Sequence, residues 1–155
     1  DKTGSLIATS ARFGALTSRA TPEVTDLLTE FGERIGVAFQ LADDVLDIAS
    51  DSDDSGKTPG TDLREGVPTL PTIIAQRSTD PADAELVALL GGPIDDDAAV
   101  ASVLSTLRTH PALDEARRVV QAEADRAREL LAQLPAGPAR ATLEQLCDTV
   151  AQRLG

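Results

Sequence analysis

Hydrophobic residues recur at helical spacing along most of the chain, and prolines and glycines separate the periodic segments. The longest such segment runs from Pro22 to about Ala49, where apolar residues return at steps of three and four. The same spacing predicts further helices over about 2–18, 68–77, 81–90, 95–108, 111–134 and 138–153, with a loop over 51–66. Since no segment shows the two-residue alternation of a strand, we predict an all-α fold.

The end of the long predicted helix carries three aspartates on one side. Asp43, Asp44 and Asp47 lie three and four residues apart, so they project from the same helical face within about one turn. Their stripe lies roughly 130° from the centre of the apolar stripe, which places the acidic row beside a buried face. Like charges at this spacing destabilise a helix by about a few tenths of a kcal/mol per pair. A bound Mg²⁺ would reverse that penalty, whereas a solvated acidic helix end is the alternative.

The loop after this helix contains a lysine between two glycines. In the run Gly56-Lys57-Thr58-Pro59-Gly60 the glycines allow the backbone to approach an anion closely. An ammonium group acts as a point charge for phosphate. Taken together, the carboxylates and the lysine predict a site for a divalent metal and a diphosphate.

Two segments of the chain resemble one enzyme family. The run from Gly36 to Pro71 is similar to the second aspartate-rich motif, and the loop after it, of trans-polyprenyl (E-isoprenyl) diphosphate synthases, especially bacterial medium-chain and long-chain enzymes. Lys2-Thr3-Gly4 resembles the start of the helix that precedes this motif. The resemblance implies an isoprenoid-synthase-type helical bundle, with residues 1–155 as the C-terminal part of a single domain.

The resemblance also implies a reaction and roles for seven residues. The reaction is the extension of a trans-polyprenyl diphosphate by condensation of isopentenyl diphosphate with an allylic diphosphate. It requires Mg²⁺, with Mn²⁺ as a substitute. The implied metal ligands are Asp43, Asp44 and Asp47; the implied catalytic residues are Lys2, Thr3 and Gln40; and the implied substrate-binding residues are Lys2, Gln40 and Lys57.

Three features limit what the resemblance implies. Val67 follows Gly66 where many family members have a second loop lysine, which puts one diphosphate contact in doubt. The family's first aspartate-rich motif is absent, and the chain begins at Asp1 without any methionine. We therefore expect a piece of a longer protein that is inactive without its N-terminal half. The family further suggests a homodimer.

Two other functions remain open at this point. The segment 51–62 imitates a calcium loop, with aspartates at its first, third and twelfth positions and Gly56 at the sixth. Thr58, Pro59 and Asp62 stand where such a loop normally has other residues, so the calcium-binding hypothesis is weaker than the prenyl-synthase hypothesis. A non-catalytic partner subunit of a prenyl synthase is the second alternative, and the complete aspartate triad argues against it.

Composition narrows the class of protein. With 26 acidic and 14 basic residues the net charge is −12, which argues against binding to nucleic acid. No apolar run reaches membrane-spanning length and no signal peptide is visible, so we expect a cytoplasmic protein. The single cysteine, Cys147, excludes an internal disulfide and is expected to pack inside a helix layer.

Three further patterns have structural interpretations. The acidic run Asp95–Asp97 is predicted to cap the N-terminus of a helix. His110 precedes a proline in a predicted turn and is not expected to be catalytic. The arginines between 117 and 128 alternate with acidic residues, which indicates a solvated helix face with ion pairs.

Overall fold

The computed structural model describes residues 2–50 and 59–153, and this part of the chain consists of helices and turns without a β-strand. The prediction of an all-α fold is therefore confirmed. The α-helices are α1 (Lys2–Thr17), α2 (Pro22–Ala49), α3 (Thr61–Glu65), α4 (Leu70–Ala75), α5 (Ala84–Leu89), α6 (Asp97–Thr109), α7 (Pro111–Leu131) and α8 (Pro138–Gln152), with a 3-10 turn at Pro81–Asp83 before α5.

The predicted boundaries agree with most of these helices, but the predicted loop over 51–66 is wrong in its last part. Helix α3 occupies Thr61–Glu65 between Gly60 and Gly66, whose φ angles of 78° and 67° lie in the left-handed region. Those conformations are accessible to glycine without a steric penalty, so the glycines turn the chain into and out of the helix. Five residues are too few to show a helical period in the sequence.

The acidic cap was predicted correctly. Asp96 precedes α6 and its Oδ2 accepts a hydrogen bond from the backbone N–H of Ala99 at 2.8 Å. The side chain thereby satisfies one of the amides that the first turn of a helix leaves without an internal partner. Helix α6 accordingly begins at Asp97, slightly after the predicted start.

The chain forms two compact units. The first contains residues 1–42 and 119–155, and the second contains residues 43–118. The boundaries lie inside the continuous helices α2 and α7.

The first unit is held together by an apolar core from three helices. Its fully buried members include Phe31 and Ile35 from α2, Leu131 from α7, and Cys147 and Val150 from α8. The predicted burial of Cys147 is thus confirmed, and the thiol is free. Burial of the apolar surface of this cluster contributes about 25 cal/mol per Å² to the stability of the fold and is its main stabilising contribution.

Helices α1 and α2 of the first unit approach each other closely at small residues. A Cβ atom added to Gly32 would lie 2.6 Å from the Cα of Ala8, and one added to Gly36 would lie 2.6 Å from the Cα of Gly4. Real Cβ atoms do not reach such distances from backbone atoms, so glycine is required at both positions of α2. The α1 backbone, which begins with Lys2 and Thr3, is consequently fixed against α2.

The second unit buries apolar residues from every one of its α-helices. Val45 and Ile48 come from the end of α2, Leu63 from α3, and Leu107 from α6. Gly60 lies against this core, because a Cβ at that position would meet Val100 at 2.9 Å. The short helices that follow α2 are therefore anchored by packing as well as by hydrogen bonds.

The charged surface of α7 matches its predicted pattern. Arg117 pairs with Asp114 at 3.0 Å, and Arg126 pairs with Glu123, each three residues away on the same helix. Such exposed pairs contribute about 0–1 kcal/mol each. Within the described ranges, no helix is both long enough and apolar enough to cross a membrane.

Candidate functional site

The candidate site of the second unit begins at the C-terminal end of α2. Asp43, Asp44 and Asp47 are all partly buried there, while the nearby Val45 and Ile48 are fully buried. The apolar pair anchors the helix and leaves the three carboxylates at the edge of the buried face. This edge position is the one that the helical spacing predicted.

Asp44 contacts the start of the short helix α4. Its Oδ2 accepts a hydrogen bond from the backbone N–H of Leu70 at 3.3 Å. Leu70 is the first residue of α4, where backbone amides lack intrahelical partners and a negative charge is favoured. Asp44 therefore fixes the N-terminus of α4 beside the end of α2.

The sequence Thr69-Leu70-Pro71-Thr72 explains why α4 starts at this point. Thr69 is the N-cap, and its backbone N–H donates to Oγ1 of Thr72 at 2.9 Å in a reciprocal capping arrangement. Pro71 lies in the first turn, where its missing N–H removes no helical hydrogen bond. The three residues Thr69, Pro71 and Thr72 are buried, so this start is rigid.

Asp47 makes the corresponding contact with helix α3. Backbone N–H groups of Asp62, Thr61 and Gly60 hydrogen-bond its carboxylate. Its second oxygen, Oδ2, is nevertheless buried and has no hydrogen-bond partner among the described residues. Burial of the group and then the nearby charge of Asp62 raise the pKa of Asp47, although the backbone amides partly oppose the shift. A buried, under-coordinated carboxylate beside a second carboxylate is suited to a cation.

The backbone carbonyls at the end of α2 are also satisfied. The carbonyl of Asp47 accepts from the N–H of Gly60 at 3.2 Å. The guanidinium of Arg108, on α6, donates through Nε to the carbonyl of Ile48 at 2.9 Å and through Nη2 to the carbonyl of Ser50 at 2.6 Å. The sequence reasoning missed Arg108, because a residue 58 to 60 positions away carries no local signal of this contact.

The other predicted residues belong to the first unit or fall outside the described residues. Lys2 is exposed at the first position of α1, while Thr3 and Gln40 are partly buried, and all three belong to the first unit. Lys57 and most of the imitated calcium loop fall outside the described residues. In residues 2–50 and 59–153 no group of three or more His, Cys, Asp or Glu side chains is arranged to hold a metal ion by itself. The assignment of these site residues stays a prediction.

A second polar cluster in the same unit surrounds Asp83. Nε2 of His110 lies 3.1 Å from Oδ2 of Asp83, and Oγ of Ser78 donates to the same oxygen. Nδ1 of His110 accepts from the N–H of Ala112 at 3.0 Å, so in the neutral ring the proton is on Nε2 and points to Asp83. Ser78 contacts the carboxylate and not the imidazole, so the cluster lacks the serine–base pair of a nucleophilic site. The non-catalytic interpretation of His110 fits this geometry.

Comparison with known proteins identifies the family to which this all-α chain belongs. The family model described as polyprenyl synthetase matches residues 1–107. The chain is a member of the polyprenyl synthetase family, as its motifs predicted. Residues 108–155 lie beyond this match.

Individual relatives agree with the family match. The chain is 48% identical to nonaprenyl diphosphate synthase of Mycobacterium tuberculosis over 155 residues, which is all of this chain and 46% of that protein. It is 34% identical to heptaprenyl diphosphate synthase component 2 of Geobacillus stearothermophilus, covering 98% of this chain and 47% of that one.

A solved structure has the same fold. Geranylgeranyl pyrophosphate synthase of Corynebacterium glutamicum, complexed with calcium and isoprenyl diphosphate, superimposes with a TM-score of 0.88 at 40% identity. The match covers 99% of this chain and 48% of that one. The chain thus spans about half the length of the relatives it matches. Its predicted position as the C-terminal part of the family's domain is not tested by these matches and stays a prediction.

Proposed function

We propose that this chain is part of a prenyltransferase that condenses isopentenyl diphosphate with an allylic diphosphate to extend a trans-polyprenyl diphosphate. The observation that carries the proposal is the end of α2, where Asp47 has a buried oxygen without a partner beside Asp62 in a member of the polyprenyl synthetase family. The relatives named above are prenyl or geranylgeranyl diphosphate synthases, which supports the same reaction.

The proposed roles are those that the resemblance to the family implies for each residue. Asp43, Asp44 and Asp47 would hold magnesium, or manganese in its place, at the end of α2. When bound, the metal would neutralise the negative charge that develops on the departing diphosphate as the carbon–oxygen bond breaks. Lys2 and Lys57 would add positive charge to that diphosphate, and Thr3 and Gln40 would line the reaction centre.

Asp44 and Asp47 have a second task in this proposal. Each carboxylate binds the N-terminus of a short helix, α4 or α3, through backbone amides. These contacts orient the carboxylates before any ligand arrives, so little reorganisation is required when charge develops in the site. Asp43 is the third proposed ligand of the same metal.

The length of the product is not part of the proposal. The three relatives are named for nonaprenyl, heptaprenyl and geranylgeranyl products, although all match nearly the whole of this chain. The residues that set product length must then differ between otherwise similar chains or lie in the other half of those proteins. We further propose a homodimer in the cytoplasm, with the N-terminal half of the domain required for activity.

The experiment uses the full-length protein with an allylic diphosphate, labelled isopentenyl diphosphate and Mg²⁺. We expect a labelled, longer prenyl diphosphate, and no such product when residues 1–155 are assayed alone. Failure of the full-length protein to form any prenyl product with C5, C10, C15 or C20 allylic substrates would refute the proposal. Steady product formation by residues 1–155 alone would refute the need for a second half.

The calcium-binding alternative is tested in the same preparation. Family membership favours the prenyltransferase function, and the 51–58 segment lies outside the described residues. We expect Mg²⁺ to support diphosphate binding and the Asp51→Ala variant to bind and react like the wild type. Tight binding of calcium without diphosphate, abolished by Asp51→Ala, would instead establish a calcium module.

A further inference from the structure

We propose that Arg108 is a positioning residue for the metal and diphosphate site, and this inference rests on the function proposed above. Arg108 lies on α6, directly beyond the part of the chain that the family model matches. Its guanidinium donates to two carbonyls at the C-terminal end of α2, those of Ile48 and Ser50. Its proposed role is inferred from these contacts.

The physical basis is the end of a long helix. The last carbonyls of an α-helix have no intrahelical partner and carry partial negative charge, so a cation there is favourable. At this end the negative charge is larger, because three aspartates lie within the last seven residues of α2, from Asp43 to Ala49. Arg108 supplies both the donors and the compensating charge, and its side chain is partly buried against them.

The same helix end also holds Gly60. Arg108 donates to the carbonyl of Ser50. Gly60 donates to the carbonyl of Asp47 at 3.2 Å, and Gly60 packs against Val100 of α6. Arg108 and the start of α3 are thus both bonded to the end of α2 that carries Asp47.

The proposal therefore distinguishes residues that bind the metal from a residue that holds the helix end in place. Asp43, Asp44 and Asp47 are proposed to hold the metal, whereas Arg108 donates to backbone carbonyls and acts through them. Loss of Arg108 should release the last turn of α2 and misplace the carboxylates by a fraction of an ångström to an ångström. Misplacement of about 1 Å can cost about 100-fold in rate.

The test compares four variants of the full-length protein: Arg108→Ala, Arg108→Lys, Arg117→Ala and Leu86→Ala. Arg117→Ala removes the same charge from an exposed pair, and Leu86→Ala destabilises the same unit from a buried position on α5. For Arg108→Ala we expect at least about a tenfold rise in the Mg²⁺ concentration for half-maximal activity and in KM for the allylic diphosphate. The KM for isopentenyl diphosphate should stay near that of the wild type.

A second measurement does not depend on turnover. In Arg108→Ala, hydrogen exchange of the Gly60 and Ser50 amides should accelerate by about tenfold or more, whereas it should stay unchanged in Arg117→Ala. Arg108→Lys keeps the charge but lacks the planar fork that reaches two carbonyls, so it should restore the metal dependence only in part. The affinity for inorganic diphosphate with Mn²⁺, measured by electron paramagnetic resonance, should decrease from the wild type to Arg108→Lys and further to Arg108→Ala.

Three outcomes would overturn the proposal. The first is an equal change of metal dependence in Leu86→Ala and Arg108→Ala, which would mean a general loss of stability. The second is full restoration by lysine, which would mean that charge alone acts. The third is unchanged exchange at Gly60 in Arg108→Ala. If the wild type made no prenyl product, the proposed function would fail, while exchange at Gly60 would still decide whether Arg108 holds this helix end.

Discussion

Asp47 and Asp83 are carboxylates of the same unit that have opposite relations to their surroundings. Asp83 accepts hydrogen bonds from Ser78 and His110, and these bonds, that of Ser78 most of all, lower its pKa. At Asp47 burial and the charge of Asp62 raise the pKa despite three backbone donors. The surroundings of Asp83 favour its ionised form, whereas those of Asp47 disfavour it.

The difference indicates which carboxylate belongs to a functional site. The side chains of His110 and Asp83 are only 12% and 21% exposed, and the described polar groups around them are mutually satisfied. Such a cluster stabilises the fold and needs no ligand. Asp47 keeps a buried oxygen without a described partner, and a charged group is retained in that state only where something else compensates for it. We propose that the compensation is the bound cation.

The largest expected effect concerns Asp43, which precedes Asp47 by four residues on α2. Asp43→Ala should lower prenyl-transfer turnover of the full-length protein by at least about 100-fold, because it removes a proposed metal ligand. Asp83→Ala, the matched change in the other cluster, should leave turnover close to that of the wild type. The measurement is kcat at saturating Mg²⁺ and substrates. Equal losses in the two variants would remove the distinction between the clusters.

The next effect is stabilisation by ligand. Inorganic diphosphate with Mg²⁺ at about 100 times its dissociation constant should stabilise the folded protein by about 2.7 kcal/mol and raise Tm by several degrees. The Asp43→Asn variant should lose most of this shift, whereas Asp83→Asn should keep it. Differential scanning calorimetry with and without the ligand pair measures both. A shift that persists in Asp43→Asn would place the diphosphate somewhere else.

Removal of the charge at Asp83 should weaken the fold in a pH-dependent manner. The pKa of Asp83 is lower in the folded state than its ordinary value of 3.8, so its ionisation stabilises the fold above that value. This contribution is lost as the pH falls through the folded pKa. Asp83→Asn should therefore lower Tm near pH 6, and the effect should diminish as the pH falls below 3.8. Asp95→Asn, an exposed control outside the cluster, should change Tm near pH 6 by less than Asp83→Asn.

The smallest expected effect is at Asp47, where the substitution should raise Tm and not lower it. Its pKa is raised in the folded state, so the folded protein binds the proton more tightly and stability falls as pH rises from about 3.9 to the raised value. In metal-free protein, Asp47→Asn should remove this fall and slightly raise Tm at neutral pH, since the amide keeps one acceptor oxygen and ends the repulsion with Asp62. A lower Tm at every pH would show that the carboxylate is purely structural.

Much of this chain follows from local sequence. Helical periodicity determined α2 from Pro22 to Ala49, and the spacing of Asp43, Asp44 and Asp47 placed them on one edge of that helix. The cap at Asp96 and the ion pairs of α7 were predictable for the same reason, because each involves residues within four positions of one another. The motif from Gly36 to Pro71 then identified the family.

Only the tertiary structure decided what each aspartate contacts. The sequence pattern predicted three equivalent metal ligands. In the structure, Asp44 accepts a hydrogen bond from the amide of Leu70, and Asp47 contacts the start of α3. Arg108 reaches the end of α2 from 58 to 60 residues away, and His110 reaches Asp83 across 27. Local patterns encode which face of a helix is apolar, whereas the partner of a polar atom depends on where distant segments pack. The burial of a carboxylate and its hydrogen-bond partners together determine whether it stabilises the fold or is available to bind a ligand.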